Sequence, residues 1–158
     1  MTNLKNYLEA KVNSRGNKNL NYLSSFFSET ELAILSNKTI SIVGTNGKSS
    51  TANNIAMLLK GLDKSYIAFT SPHLFDYKER MTAHKDLNFN EYIQYLENFE
   101  LKNNINLGYF ESTFLIAAKA FLHNDMDYFI CEAGIGGKYD TTSVIQSKTV
   151  VLLSLIHI

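Results

Sequence analysis

Short apolar strands alternating with helical stretches predict an α/β fold, a mostly parallel sheet flanked by helices. Two further observations support it: the first strand runs into a glycine- and hydroxyl-rich loop that opens a helix, and a later strand ends in a carboxylate followed by glycines. The 158 residues, 45% hydrophobic, suffice for one domain with its own core.

Helical periodicity runs through Leu4–Leu8 and again through Leu20–Leu35, where Ser28 or Thr30 interrupts or recaps it. Thr39–Val43 is rich in β-branched residues and reads as a strand, followed by a helix from about Gly47 to Leu62. Ser65–Phe69 is a second strand leading to Pro72, the only proline, and Met81–His84 is a short extended piece. Glu91–Leu101 places Tyr92, Tyr95, Leu96 and Phe99 on one helical face, and Phe110–Leu122 reads as a second amphipathic helix. Asp127–Glu132 and Thr149–Leu152 are the remaining strands. In a parallel sheet ligands collect beyond the carboxyl ends of the strands, so Val43, Phe69 and Glu132 should bring their loops to one edge.

Fifteen basic and fifteen acidic side chains cancel, leaving no footprint for nucleic acid or an anionic membrane. The longest apolar run, Thr113–Leu122, is broken by Lys119 and is too short to span a bilayer, and Met1–Ala10 lacks the apolar centre of a signal peptide. A single cysteine, Cys131, excludes an internal disulfide framework, suits a reducing cytoplasm and reads as a small buried hydrophobe. His84 and His123 belong to no motif. The last six residues, Leu153-Ser154-Leu155-Ile156-His157-Ile158, match one reading frame of a transposase adapter used in DNA sequencing libraries. The domain is therefore expected to occupy residues 1–152, incomplete and truncated at its C-terminus, with 153–158 a non-native tail, the alternative being a genuine apolar strand with an unusual tail.

Gly44-Thr45-Asn46-Gly47-Lys48-Ser49-Ser50 has the composition of a phosphate cradle. Its glycines let backbone N–H groups face an anion, and the helix N-terminus adds unpaired N–H groups and a positive dipole end. Lys48 adds a full charge, and the hydroxyl of Ser49 or Ser50 can reach a phosphate-bound Mg²⁺. The spacing is GxxGKS, shorter than the full Walker pattern, because Ile42 stands five residues before Gly47. The strand–loop–helix setting favours a P-loop nucleotide-binding site over an ordinary glycine-rich turn capped by serine. Glu132, ending an apolar strand, needs a cation, either a metal or a basic side chain. Ser71 at a strand end offers an oxygen to the same cation or simply starts a turn with Pro72. Asp140 and Thr141 hold a polar ligand or cap a turn, and Glu111 sits where it offsets a helix dipole.

Gly44-Thr45-Asn46-Gly47-Lys48, Ser71-Pro72-His73-Leu74, Glu79-Arg80, Tyr109-Phe110-Glu111, Glu132-Ala133-Gly134-Ile135-Gly136-Gly137 and Lys138-Tyr139-Asp140-Thr141-Thr142-Ser143 occur in that order. Together they resemble the N-terminal ATP-binding domain of the dihydrofolate synthase/folylpolyglutamate synthase family, within the Mur ligase superfamily. The phosphate loop alone suits any Mur-type ligase, and the SPHL and Glu-Ala-Gly-Ile-Gly-Gly loops narrow the resemblance to the folate branch.

The resemblance implies a Mur ligase central-domain-like fold and an ATP-dependent ligase joining L-glutamate to dihydropteroate or folate through an acyl phosphate. It implies ATP and Mg²⁺ as cofactors, small-molecule partners only, and a cytoplasmic protein that is monomeric when intact. By matching motifs, Thr45, Asn46, Gly47, Lys48, Ser49 and Ser50 hold ATP, with Lys48 catalytic. Ser71 and Glu132 ligate magnesium, and Phe110, Asp140 and Thr141 line the pteroate pocket. This sequence departs from the family pattern at Ser49, where glycine is usual, and at Thr141, where alanine is common. It also lacks the Asp-His pair whose histidine completes the metal site, and the C-terminal domain that binds glutamate, so the chain alone is expected to be inactive. The alternatives are a UDP-muramoyl peptide ligase and a non-catalytic nucleotide-binding module.

Overall fold

A computed structural model describes residues 3–12, 20–134, 137 and 140–153. Ile135, Gly136, Lys138 and Tyr139 of the second glycine loop, and Ser154–Ile158 of the expected tail, lie outside them. Strands β1 (Thr39–Val43), β2 (Tyr66–Phe69), β3 (Met81–Ala83), β4 (Tyr128–Glu132) and β5 (Thr149–Leu152) form one sheet in the order β3-β2-β4-β1-β5. The pairings β2–β4, β4–β1 and β1–β5 are parallel, and only β3 runs antiparallel, at the edge beside β2. The α/β fold with a mostly parallel sheet is therefore as the sequence predicts.

Period-two alternation assigns each strand residue to a layer. Ile42, Tyr66, Ala68 and Ile130 pack under α4 (Lys48–Gly61), against its Ala52, Ala56 and Leu59. Ile67, Phe69, Phe129 and Cys131 face the larger core on the opposite side. That core is built by α1 (Leu4–Glu9), α2 (Leu20–Ser24), α3 (Glu29–Lys38), α5 (Ile93–Asn103) and α6 (Tyr109–His123). The register pairs Ile42 with Glu132 and Phe69 with Cys131, so Glu132 follows Ile130 onto the α4 side. Cys131 is buried, as its apolar setting implies.

Of the two residues able to recap the second helical stretch, Ser28 does so. Its hydroxyl accepts from the Glu31 N–H at 3.2 Å, and the Glu31 carboxylate accepts from the Ser28 N–H at 2.9 Å. The amphipathic reading of 110–122 needs correction, because every residue from Glu111 to Phe121 is buried. Helices α1, α3 and α5 cover the face that would otherwise meet water. Lys119 is consequently buried, tied to the Glu31 carboxylate and lying 5.5 Å from the Phe26 and Tyr95 ring centres. Among the described residues no helix is long and apolar enough to cross a membrane.

Strand β5 is the other edge, and the Leu153 N–H continues its ladder by donating to the Val43 carbonyl at 2.9 Å. Phe114 is fully buried against Phe69 at 5.7 Å between ring centres, where α6 meets β2. Phe114→Ala should cost about 3–5 kcal/mol in urea unfolding, the cost of an aromatic-sized core cavity.

Candidate functional site

The carboxyl ends of β1, β2 and β4 lie side by side, and the loops that follow them build the site. After β1 the chain turns through Gly44 at φ 147° and Gly47 at φ 81°, the latter capping α4 in a left-handed conformation. A Cβ on Gly44 would stand 2.8 Å from Leu153 Cβ, so the loop is tight as well as unusually shaped. The first intrahelical bond runs from the Thr51 N–H to the Gly47 carbonyl. The N–H groups of Lys48, Ser49 and Ser50 thus have no partner within the helix and point toward its open end. Lys48 folds back over the loop, its Nζ donating to the carbonyls of Gly44 at 3.0 Å and Thr45 at 3.3 Å. Thr45, Asn46, Gly47 and Ser50 are exposed around this cradle.

Glu132 is only 2% exposed yet carries a carboxylate. The Ser49 hydroxyl donates to it, with distances of 2.8 and 3.1 Å to the two oxygens, and the Ser71 N–H donates at 3.1 Å. Burial raises its pKa above the ordinary carboxylate value, and these bonds together with the charges of Lys48 and Arg80 oppose the rise. The geometry thus joins Ser49 at the start of α4, Ser71 in the loop after β2 and Glu132 at the end of β4, while Ser50 makes no hydrogen bond to that cluster among the described residues. Every donor here is a hard oxygen or a backbone N–H, and no group of three or more His, Cys, Asp or Glu side chains is placed to hold a metal among the described residues. One carboxylate and two hydroxyl-bearing residues beside a phosphate cradle suit Mg²⁺, which takes few protein ligands and completes its shell with phosphate oxygens and water.

A second group was not assigned from sequence. Glu79 accepts three backbone N–H bonds, from Leu74 at 2.8 Å, Phe75 at 2.9 Å and Asp76 at 2.8 Å, and so shapes the loop after Pro72. Those bonds lower its pKa. Next to it the Arg80 Nε donates to His73 Nδ1 at 2.8 Å, and the guanidinium lies 5.0 Å from the centre of the Tyr109 ring. The signal lay in the SPHL and Glu79-Arg80 motifs, but nothing in their spacing shows that Tyr109 meets them.

Phe110, at the start of α6, packs edge-on against Phe69 at 5.3 Å. Asp140 faces the same spot, because a Cβ on Gly134 would meet Asp140 Oδ2 at 2.7 Å and Phe110 Cζ at 3.2 Å. The Asp140 carboxylate accepts from the Gly134 N–H at 3.0 Å, and from the Thr142 N–H at 3.0 Å and hydroxyl at 2.7 Å. It therefore caps the turn Thr141–Val144. Thr141 donates to the buried Glu111 at 3.3 Å, a contact beyond the dipole role read from sequence.

Known proteins are similar to this chain in sequence and in fold. The chain is 34% identical over 157 residues to the dihydrofolate synthase/folylpolyglutamate synthase of Buchnera aphidicola subsp. Schizaphis graminum, covering 94% of this chain and 36% of the relative. The chain belongs to the dihydrofolate synthase/folylpolyglutamate synthase family. The Escherichia coli member is 29% identical over 116 residues, covering 72% of this chain and 28% of its own length. The crystal structure of Helicobacter pylori folylpolyglutamate synthetase superposes with a TM-score of 0.77 at 28% identity, covering 98% of this chain and 40% of that one. A bifunctional folylpolyglutamate synthase/dihydrofolate synthase with Mn, AMPPNP and L-glutamate bound gives 0.75 at 28% identity, covering 92% and 36%. No family model matches the chain. The chain spans about a third of the length of its Buchnera relative.

The Glu79 cradle has a sign-defined pH dependence. A depressed folded-state pKa means that its contribution is present above the unfolded value, about 4.3, and lost as pH falls through the folded value. Hydrogen exchange at Leu74, Phe75 and Asp76, corrected for intrinsic rates, should accelerate in that acid window, and Glu79→Gln should produce the same acceleration at neutral pH.

Proposed function

We propose that this chain is the nucleotide-binding portion of an ATP- and magnesium-dependent ligase that joins L-glutamate to dihydropteroate or folate. The observation that carries the reading is the meeting of Ser49, Ser71 and Glu132 beside the N-terminus of α4. The named relatives support the folate branch over a UDP-muramoyl peptide ligase, and they support an enzyme over a non-catalytic module. In this reading residues 1–152 belong to the nucleotide-binding domain, and the glutamate-binding part lies in the length of the relatives that this chain does not span. A cytoplasmic setting fits the single buried thiol.

The reaction brings a substrate carboxylate against the γ-phosphate of ATP. A carboxylate oxygen bonds to the γ-phosphorus while the bond to the β–γ bridging oxygen breaks, giving ADP and an acyl phosphate. The glutamate amine then adds to the acyl carbon, phosphate leaves and the nitrogen loses a proton. Charge repulsion dominates the first step, so positive groups and fixed dipoles must offset it. The unpaired N–H groups at Lys48, Ser49 and Ser50 would hold phosphate oxygens, together with the loop backbone of Thr45, Asn46 and Gly47. Lys48 would exchange its two carbonyl partners for the β- and γ-phosphates. Glu132 and Ser71, with Ser49 bracing the carboxylate, would hold Mg²⁺, which neutralises phosphate charge. Phe110 offers an aromatic face to a flat pterin, with Asp140 and Thr141 bordering it.

The test is glutamate incorporation by a protein that joins this chain to the remaining length found in its relatives. Incorporation into dihydropteroate or folate, and none into a UDP-muramoyl peptide, is expected. Lys48→Ala should lower MgATP affinity at least about tenfold by calorimetry, the effect of removing a charge-assisted contact, and abolish turnover. Transfer only to the muramoyl acceptor, or full turnover by the variant, contradicts the assignment.

A further inference from the structure

Arg80 is a half-buried cation that has no carboxylate partner among the described residues. Among the described residues no ion pair includes it, and its only side-chain hydrogen bond runs from Nε to His73 Nδ1. Lys11, Lys38 and Lys119, in contrast, each have a carboxylate within 3.3 Å. Burial lowers the Arg80 pKa, the signature of a guanidinium short of water, and Glu132 only partly opposes this from beyond ion-pair distance. Its orientation is nonetheless fixed. The Tyr109 ring lies 5.0 Å from the guanidinium carbon, and His73 itself sits over Tyr109 with ring centres 5.9 Å apart. Among the described residues the terminal nitrogens make no hydrogen bond, and they can meet a planar anion.

These groups line a cavity of about 380 Å³ whose other walls include Leu8, Val12 and Tyr77. Leu8, Val12 and Phe75 give the cleft an apolar wall, Lys5, Glu9 and Asp76 stand among its lining, and the oriented arginine beside that wall is suited to an aryl carboxylate. The two acids at its edge are already engaged, since Glu9 faces Lys5 at 3.9 Å and Asp76 caps the Lys78 N–H at 2.9 Å. The reading of the chain as a folate ligase poses the matching problem, because a substrate carboxylate must be held close to phosphates that repel it.

We propose that Arg80, aimed by His73 and Tyr109, receives the carboxylate of the pteroyl substrate and sets the specificity for the ionised acid. The inference rests on the folate-ligase reading. Arg80 neutralises one carboxylate oxygen pair while the substrate is brought to the phosphate site, and Tyr109 and His73 act as positioning residues.

The test compares binding of dihydropteroate and its carboxamide to the chain and to Arg80→Gln, by fluorescence titration. The unaltered chain should prefer the acid by about 10- to 100-fold, the range expected of a charge-assisted bidentate contact. Arg80→Gln should bind both forms with the affinity the unaltered chain has for the amide, which also shows that the pocket is intact. Arg80→Lys should recover part of the preference. A variant that keeps the acid preference overturns the role of Arg80 and leaves the folate reading standing, as does a variant that loses the amide equally. Failure of the unaltered chain to bind dihydropteroate overturns the pteroyl-substrate reading itself and this inference with it.

Discussion

The site depends on one constraint, the parallel register that sets Glu132 beside Ile42. Alternation along β4 then turns Phe129 and Cys131 toward the α6 core and Ile130 and Glu132 toward α4. A slip of one residue would point the carboxylate into the apolar core and Cys131 at the phosphate loop. Because the register is locked by two buried faces, the cost of holding a desolvated carboxylate is met by the fold. The Ser49 hydroxyl and the Ser71 N–H then aim it. The same register brings the loop after β2 alongside, so three separate stretches of sequence meet at one carboxylate.

Much of this was legible in the sequence. The strand–loop–helix from Thr39 to Gly61 follows from β-branched residues, two glycines needing positive φ and an apolar helical stripe. The positions of the remaining strands along the chain follow from the same patterning, though not their order in the sheet, and a residue at a strand end can be placed near other strand ends without coordinates. What failed was anything requiring knowledge of what covers a helix. The stretch Phe110–Leu122 contains Glu111, Ser112, Thr113 and Lys119, which look like a wet face. Three helices enclose it, and Lys119 and Glu111 find partners in Glu31 and Thr141 inside the protein.

The choice between Ser49 and Ser50 was also beyond the sequence, since both are hydroxyls in the first turn of one helix. Successive helical residues point about 100° apart, and only Ser49 faces β4. The hydroxyl that replaces the family's usual glycine is therefore the one that touches Glu132. The cluster of His73, Arg80 and Tyr109 escaped for a different reason. It joins a loop to the start of α6 across 29 residues of chain, from Arg80 to Tyr109, and no local pattern reports such a meeting. Its chemistry, a cation oriented by two aromatic rings beside an apolar wall, complements the phosphate cradle, which is open and polar.

Electron paramagnetic resonance of Mn²⁺ would show whether the strand ends gathered at Glu132 form a site for a metal–nucleotide complex. The titration would be run on the chain with and without AMPPNP, and repeated with Glu132→Gln. The nucleotide should tighten Mn²⁺ binding, and Glu132→Gln should weaken the ternary complex at least about tenfold while AMPPNP still binds through the loop. Mn²⁺ binding that ignores the nucleotide, or that is unchanged by the substitution, would contradict such a site.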